Sequence, residues 1–164
     1  MKYTAWFGCP MSKEGAGIQP VKVPERVVGG KPTLYCFQTC PFCWKVRSIL
    51  SWKGVAHTKV EVDPMKKKEL KWSEWTAVPV YVETDGTQVN NSNDILRWIN
   101  SNHDGGSRFP SIGEDSTQDK WMDFSDEVLG KSIVAVIYRS YGSSRKALSY
   151  VSDVESFSRW QAWQ

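Results

Sequence analysis

Four cysteines carry the most reactive side chains of this 164-residue chain: Cys9, Cys36, Cys40 and Cys43. The last two form Cys40-Pro41-Phe42-Cys43, and a Cys-x-x-Cys pair can cycle between dithiol and disulfide. Thr33 to Phe37 is a short run of aromatic and apolar residues that predicts a strand, and from Cys43 onward Val46, Ile49 and Leu50 recur at helical spacing. The pair therefore falls at a strand-to-helix junction. There the helix N-terminus presents unpaired N–H groups and roughly half a positive charge, which favours thiolate over thiol. Cys40, at the mouth of the helix, is the expected nucleophile. Cys43, one turn in and less exposed, is the expected resolving thiol, attacking the Cys40 sulfur of a mixed disulfide. Thr39 is an expected cap, and Pro41 suits the first turn because its missing N–H has no intrahelical partner. Lys45 and Arg47 are expected to add positive potential to a partly exposed Cys40.

Other uses of the cysteines fit less well. Three of the four lie within eight residues, unlike the spaced disulfide framework of a small secreted protein, so a reducing, intracellular compartment (cytoplasm or organelle) is expected. Cys36, Cys40 and Cys43 spell C-x3-C-x2-C, similar to the cluster motif of radical S-adenosylmethionine enzymes. Those enzymes need a much larger barrel, and Cys36 sits inside the strand pattern. Adding Cys9 would give four thiolates for zinc, but a 26-residue gap and the lack of a second paired motif argue against it. No metal site is expected, and Cys36 reads as a small buried hydrophobe.

The elements that must position the pair follow from the pattern. Thr58 to Val62 alternates as a strand, and Pro64 opens a predicted helix over 65–72. Val78 to Val82 is a strand, Asp85-Gly86 a hairpin turn, Thr87 to Asn90 its partner, and Ser92 an N-cap for a helix carrying Ile95, Leu96, Trp98 and Ile99. The order β-α-β-α-β-β-α implies one parallel and one antiparallel pairing, hence an α/β, thioredoxin-like mixed four-stranded sheet over residues 31–103. Residues 1–30, rich in Gly and Pro without periodicity, read as an irregular N-terminal arm. Residues 113–164 read as helical: Trp121, Phe124, Val128, Leu129, Ile133, Val136 and Ile137 form a stripe broken by Gly130. Gly142-Ser143-Ser144 ends it and another helix spans 147–163.

Composition sets outer limits. Apolar residues make up 40% and charged residues 24%, ordinary for a soluble globular chain, and no run approaches the roughly 18–20 apolar residues of a membrane span. A net charge of +3 with dispersed basic residues gives no footprint for nucleic acid, and Lys66-Lys67-Lys68 reads as a solvated face. The nine tryptophans follow no fixed period and read as core or interface residues.

Leu34 to Val46 resembles the active-site segment of glutaredoxins and of the glutathione-transferase N-terminal domain. Val78-Pro79 is similar to the cis-proline element of that family, whose preceding backbone pairs with the cysteinyl part of glutathione. Asn91-Ser92-Asn93-Asp94 is similar to the helix start that grips the γ-glutamyl end. The resemblance implies glutathione binding by Cys40, Phe42, Val78, Pro79, Asn91, Ser92 and Asn93, with Cys40 and Cys43 catalytic in thiol-disulfide exchange. Phe37 and Gln38 stand where such proteins often carry a lysine for the glycine carboxylate, and Asn91 where they carry an acid. Cys-Pro-Phe-Cys together with Val-Glu-Val-Asp-Pro at 60–64, Trp121 and Tyr138-Arg139 most resembles the membrane-associated prostaglandin E synthase type 2 family. That likeness implies, as alternatives, isomerisation of prostaglandin H2, haem binding alongside glutathione, or a non-catalytic glutathione- or haem-binding module. It also implies that residues 113–164 begin a transferase-type helical domain. Their apolar stripe should be covered by further chain or by a second copy in a homodimer, or the end of the stretch should be disordered.

Overall fold

The computed structural model describes residues 21–64, 66–103 and 116–150. Cys9, most of the expected arm and residues 151–164 lie outside the described residues.

Strands β1 (Val21–Lys22), β2 (Thr33–Cys36), β3 (Thr58–Glu61), β4 (Val80–Val82) and β5 (Thr87–Asn90) form one sheet in the order β1-β5-β4-β2-β3. Strand β2 pairs parallel with β3 and antiparallel with β4, and β4 pairs antiparallel with β5. This is the mixed four-stranded thioredoxin-like sheet, and α1 (Pro41–Trp52) is the crossover that its parallel pair requires. The expected arm differs from its composition. Val21 and Lys22 pair antiparallel with Gln88 and Thr87, adding a fifth, edge strand, and Val23 is buried. Tyr35 fixes this segment by donating its hydroxyl to the Arg26 carbonyl at 3.1 Å. Two strand residues and one anchoring valine are too short to show as a period in sequence.

Alternation along the strands builds two apolar layers. Leu34, Cys36, Tyr81 and Val89 face α1 and α2 (Ser92–Asn102), where they meet Val46, Ile49, Leu50, Ile95, Leu96 and Ile99. Fully burying each aliphatic side chain contributes about 1.5–3 kcal/mol, so this layer dominates the stability of the domain. Tyr35, Val80, Val82 and Val62 face the other way, onto Leu70, Trp72 and Trp75. A helix over 65–72 was expected on this second face; a single 3-10 turn, Lys68–Leu70, stands there instead. Lys67 has a φ of +47°, which ends any regular helix, and Leu70 is the turn's buried residue. With three consecutive lysines and no apolar stripe, the segment has no helical face to bury.

After the sheet domain, α3 (Ser116–Phe124), a π-helical stretch (Ser125–Gly130) and α4 (Lys131–Ile137) run as one helical rod. Gly130 does not break it. A Cβ there would lie 2.9 Å from Phe42 Cε1 and Cζ, so glycine serves close approach of the rod to α1. Gly142-Ser143-Ser144, expected as a terminator, lies in the first turns of α5 (Tyr141–Ala147). Ser140 caps that helix by accepting from the Ser143 N–H, and the Ser143 side chain returns the bond. Much of the stripe is outward: Trp121 is 67% exposed, and Phe124, Val128, Leu129 and Val136 are also exposed.

Candidate functional site

The strand-to-helix junction is built as its residue types require. Pro41 is the first residue of α1, and the N-cap is Cys40 rather than Thr39. The Cys40 sulfur accepts from the Cys43 N–H at 3.4 Å, occupying the place a serine or aspartate oxygen would take. The loop before it is braced on both sides: Gln38 N–H donates to Glu61 Oε1 at 2.7 Å, and Trp44 Nε1 donates to the Gln38 carbonyl at 2.7 Å.

The two thiols of the motif are driven apart. Burial pushes the Cys40 thiol up, but hydrogen bonds from the Cys43 side chain and from the Cys43 and Phe42 N–H groups outweigh it and hold Cys40 below its ordinary value. Burial pushes Cys43 well up, and its hydrogen bond to Cys40 and the negative potential of Cys40 and Cys36 add to this. Hydrogen bonding thus favours the thiolate at Cys40 and the thiol at Cys43. Cys36, in β2, is pushed up to about 12 by burial first and then by the Glu61 carboxylate, which disfavours its thiolate. Two expectations are corrected here. Cys40 is 5% exposed rather than partly open, and its lowered value comes from hydrogen bonds, not from Lys45 or Arg47. Arg47 stacks 3.9 Å from the Trp44 ring, while Lys45 is engaged by Asp126 and Asn93.

The other motif residues converge on this end of the domain. The Val78-Pro79 bond is cis, and Val78 packs against the same core cluster as Cys40. Asn91, not Ser92, is the N-cap of α2: its side-chain oxygen accepts from the Asn93 N–H at 3.2 Å, with a φ of +67°. Ser92 and Asn93 open the helix and are buried. Lys45 ties the two helix starts together by donating to Asn93 Oδ1, and it also meets Asp126 Oδ1 at 2.7 Å. Ser92 Oγ donates to the other oxygen, Asp126 Oδ2, at 3.3 Å. Phe42 lies against Gly130, where a small cavity of about 90 Å³ is lined by Pro41, Phe42, Lys45, Asp126, Leu129 and Ile133.

Asp126 and Tyr150 went unread in the sequence, and Gly130 was read only as a break in the stripe. Asp126 and Gly130 had a signal. An aspartate and a glycine at i and i+4 inside an apolar stripe mark one helix face that must approach another element closely. Tyr150 had none. Its hydroxyl is buried beside Thr39 and the Gln38 backbone, and neither the Tyr150 nor the Thr39 hydroxyl completes a well-formed hydrogen bond there. Burial pushes the phenol up, followed by the Glu61 carboxylate.

Residues 34–107 match the family described as glutathione S-transferase, N-terminal domain. The match falls on the sheet domain. Prostaglandin E synthase 2 of Danio rerio is 41% identical over 66 residues, 40% of this chain and 18% of its own length; that of Mus musculus is 40% identical over 62 residues, 38% and 16%. The chain thus spans less than a fifth of the curated relatives it matches. The glutathione transferase URE2P8 from Phanerochaete chrysosporium, solved with oxidised glutathione, has a TM-score of 0.58 at 17% identity, over 80% of this chain and 70% of its own. At that identity the likeness is one of fold.

Among the described residues no cluster of three or more histidine, cysteine or acidic groups could hold a metal ion. Among the described residues the Cys40 sulfur is buried, and the adjoining cavity of about 90 Å³ is far too small for a haem macrocycle. No helix of the described residues is long and apolar enough to cross a membrane.

Proposed function

We propose that this domain binds glutathione and performs glutathione-linked thiol-disulfide exchange at Cys40. The observation that carries the reading is the placement of Cys40 as N-cap of α1, its sulfur accepting from the Cys43 N–H at 3.4 Å, with hydrogen bonds lowering Cys40 while burial raises Cys43 beside it. Glutathione would lie with its sulfur at Cys40 and Phe42, its backbone against Val78-Pro79, and its γ-glutamyl end at Asn91, Ser92 and Asn93. The Cys40 thiolate attacks the glutathionyl sulfur of a mixed disulfide, forming a Cys40–glutathione disulfide and releasing the substrate as thiolate, which takes up a proton. Cys43, losing its proton, then attacks the Cys40 sulfur. An intramolecular disulfide forms and glutathione leaves, so the protein has lost the two electrons that the substrate gained. Two further glutathione molecules restore the dithiol and leave as glutathione disulfide. Reduction of a glutathione mixed disulfide, followed with wild type and Cys40→Ser, tests this: activity in the first and none in the second is expected, and a folded but inactive wild type sinks the enzyme reading, leaving a binding module.

A second reading is favoured by one observation, the identity of about two residues in five with proteins named prostaglandin E synthase 2. On that reading the chain contributes the thiol-bearing part of a prostaglandin H2 isomerase. Incubation of the full-length protein with prostaglandin H2, with and without glutathione, decides it: product formation no faster than buffer would exclude it.

A further inference from the structure

Strand order decides which way a tripeptide can run past Val78. Strands β5, β4, β2 and β3 lie side by side, and the register puts the end of β5, the start of β4 and the ends of β2 and β3 on one edge of the sheet. Asn91 follows β5, Val78-Pro79 precedes β4, Phe37 and Gln38 follow β2, and Asp63 lies just past β3. A glutathione with its γ-glutamyl end at Asn91 and its cysteinyl backbone on Val78 therefore directs its glycine carboxylate toward the β2–β3 side. On that side Gln38 is neutral, and the Glu61 carboxylate, which accepts from the Gln38 N–H at 2.7 Å, is paired with Lys59 at 3.1 Å. The connection from β3 to β4 supplies another cation. Lys67 Nζ donates to the Thr76 carbonyl at 3.0 Å, two residues before Val78, and the Lys67 N–H donates to the Asp63 carbonyl at 2.9 Å. That carbonyl occupies one of the ammonium's three donors, and among the described residues no carboxylate pairs with it. The nearby acids are turned to backbone instead: Glu69 Oε2 accepts from the Asp63 N–H at 2.9 Å, and Asp63 Oδ1 from the Lys66 N–H at 3.1 Å.

We infer that Lys67 is the specificity residue that reads the terminal carboxylate of the thiol cofactor, a task moved in this chain from the loop before Cys40 to the β3–β4 connection. This rests on the glutathione reading for the direction of the tripeptide. The backbone supports it. Among the described residues only Lys67 and Asn91 combine a side chain with a positive φ, +47° and +67°. Glycine adopts that region freely and a lysine does not, so a lysine kept there points to a use for its side chain. Asn91 uses its side chain to cap α2. Lys67 stands at the N-cap of the 3-10 turn and makes no cap bond; its side chain instead holds an ammonium on Thr76. Its neighbours Lys66 and Lys68 are exposed, whereas Lys67 is half-buried, where a charge-assisted bond to a carboxylate is less screened by solvent.

Lys67→Gly removes the ammonium and leaves the backbone in a conformation that glycine accepts, so the variant should melt no lower than wild type. Lys68→Met makes the same change of charge one residue away, on an exposed side chain. Titration calorimetry on the three proteins uses two probes, reduced glutathione and its ethyl ester at the glycine carboxyl, which lacks the terminal charge. Wild type and Lys68→Met are expected to bind glutathione at least about fivefold tighter than the ester, and Lys67→Gly to bind the two alike, with its affinity for the ester unchanged. If wild type binds both probes equally, the inference is overturned while the glutathione reading stands. Preference for the free acid that survives in Lys67→Gly also overturns it, because another cation would then read the carboxylate. An equal loss for both probes in Lys67→Gly overturns it as well, since the residue would then only shape the loop. If folded wild type binds neither probe, the glutathione reading fails and this inference with it.

Discussion

At the scale of the residue, Cys40 and Cys43 show how two identical thiols acquire opposite roles. Both are nearly fully buried, which by itself pushes a thiol up. Cys40 receives hydrogen bonds and Cys43 gives one, so the two part in opposite directions. The alkylation rate of Cys40 against pH should therefore turn over below the roughly 8.5 of a free thiol. Cys43→Ala removes a side-chain donor and should move that inflection upward, whereas Cys43→Ser keeps a hydroxyl donor and should move it less. An inflection unmoved by Cys43→Ala would show that the backbone N–H groups act alone.

At the scale of the element, the far end of the domain is fastened by a small polar cluster. Tyr81 donates to Glu83 Oε2 at 3.1 Å, and His103, just past α2, meets the same oxygen at 2.6 Å, joining the β4–β5 hairpin to α2. Burial pushes Glu83 up, but the Thr84 N–H, His103 and Tyr81 together bring it below its ordinary value. A carboxyl whose folded value is depressed adds stability that is complete above its unfolded value, roughly 4.3, and is lost as pH falls through the lower folded value. Glu83→Gln should therefore flatten the fall in melting temperature below about pH 4 relative to wild type; an unchanged acid slope would contradict the clasp. Legibility in the sequence divides at this same scale. Thr87–Asn90 was readable because the Asp85-Gly86 turn dipeptide before it is a local signal. The start of α2 was readable only to within a residue, because Asn91 and Ser92 can both cap. Strand β1 and the passage of the rod through Gly130 were not readable, since contacts with distant residues decide each of them.

At the scale of the whole molecule, one sheet brings together three segments far apart in sequence: the cysteine helix, the cis Val78-Pro79 bond and the start of α2. The placement of Cys40-Pro41-Phe42-Cys43 at a helix start was legible because the strand pattern before it and the apolar spacing after it are local signals. The partners at that site, Asp126 and Tyr150, were not, because they arrive from beyond the domain that carries the motif. The claim that Cys40 forms the glutathione adduct and Cys43 resolves it has a direct measurement. Cys43→Ser is incubated with glutathione disulfide, and the adduct is located by peptide mass mapping. One glutathionyl group on Cys40, accumulating in Cys43→Ser and transient in wild type, is the predicted result; an adduct on Cys36, or none on a folded protein, would contradict it.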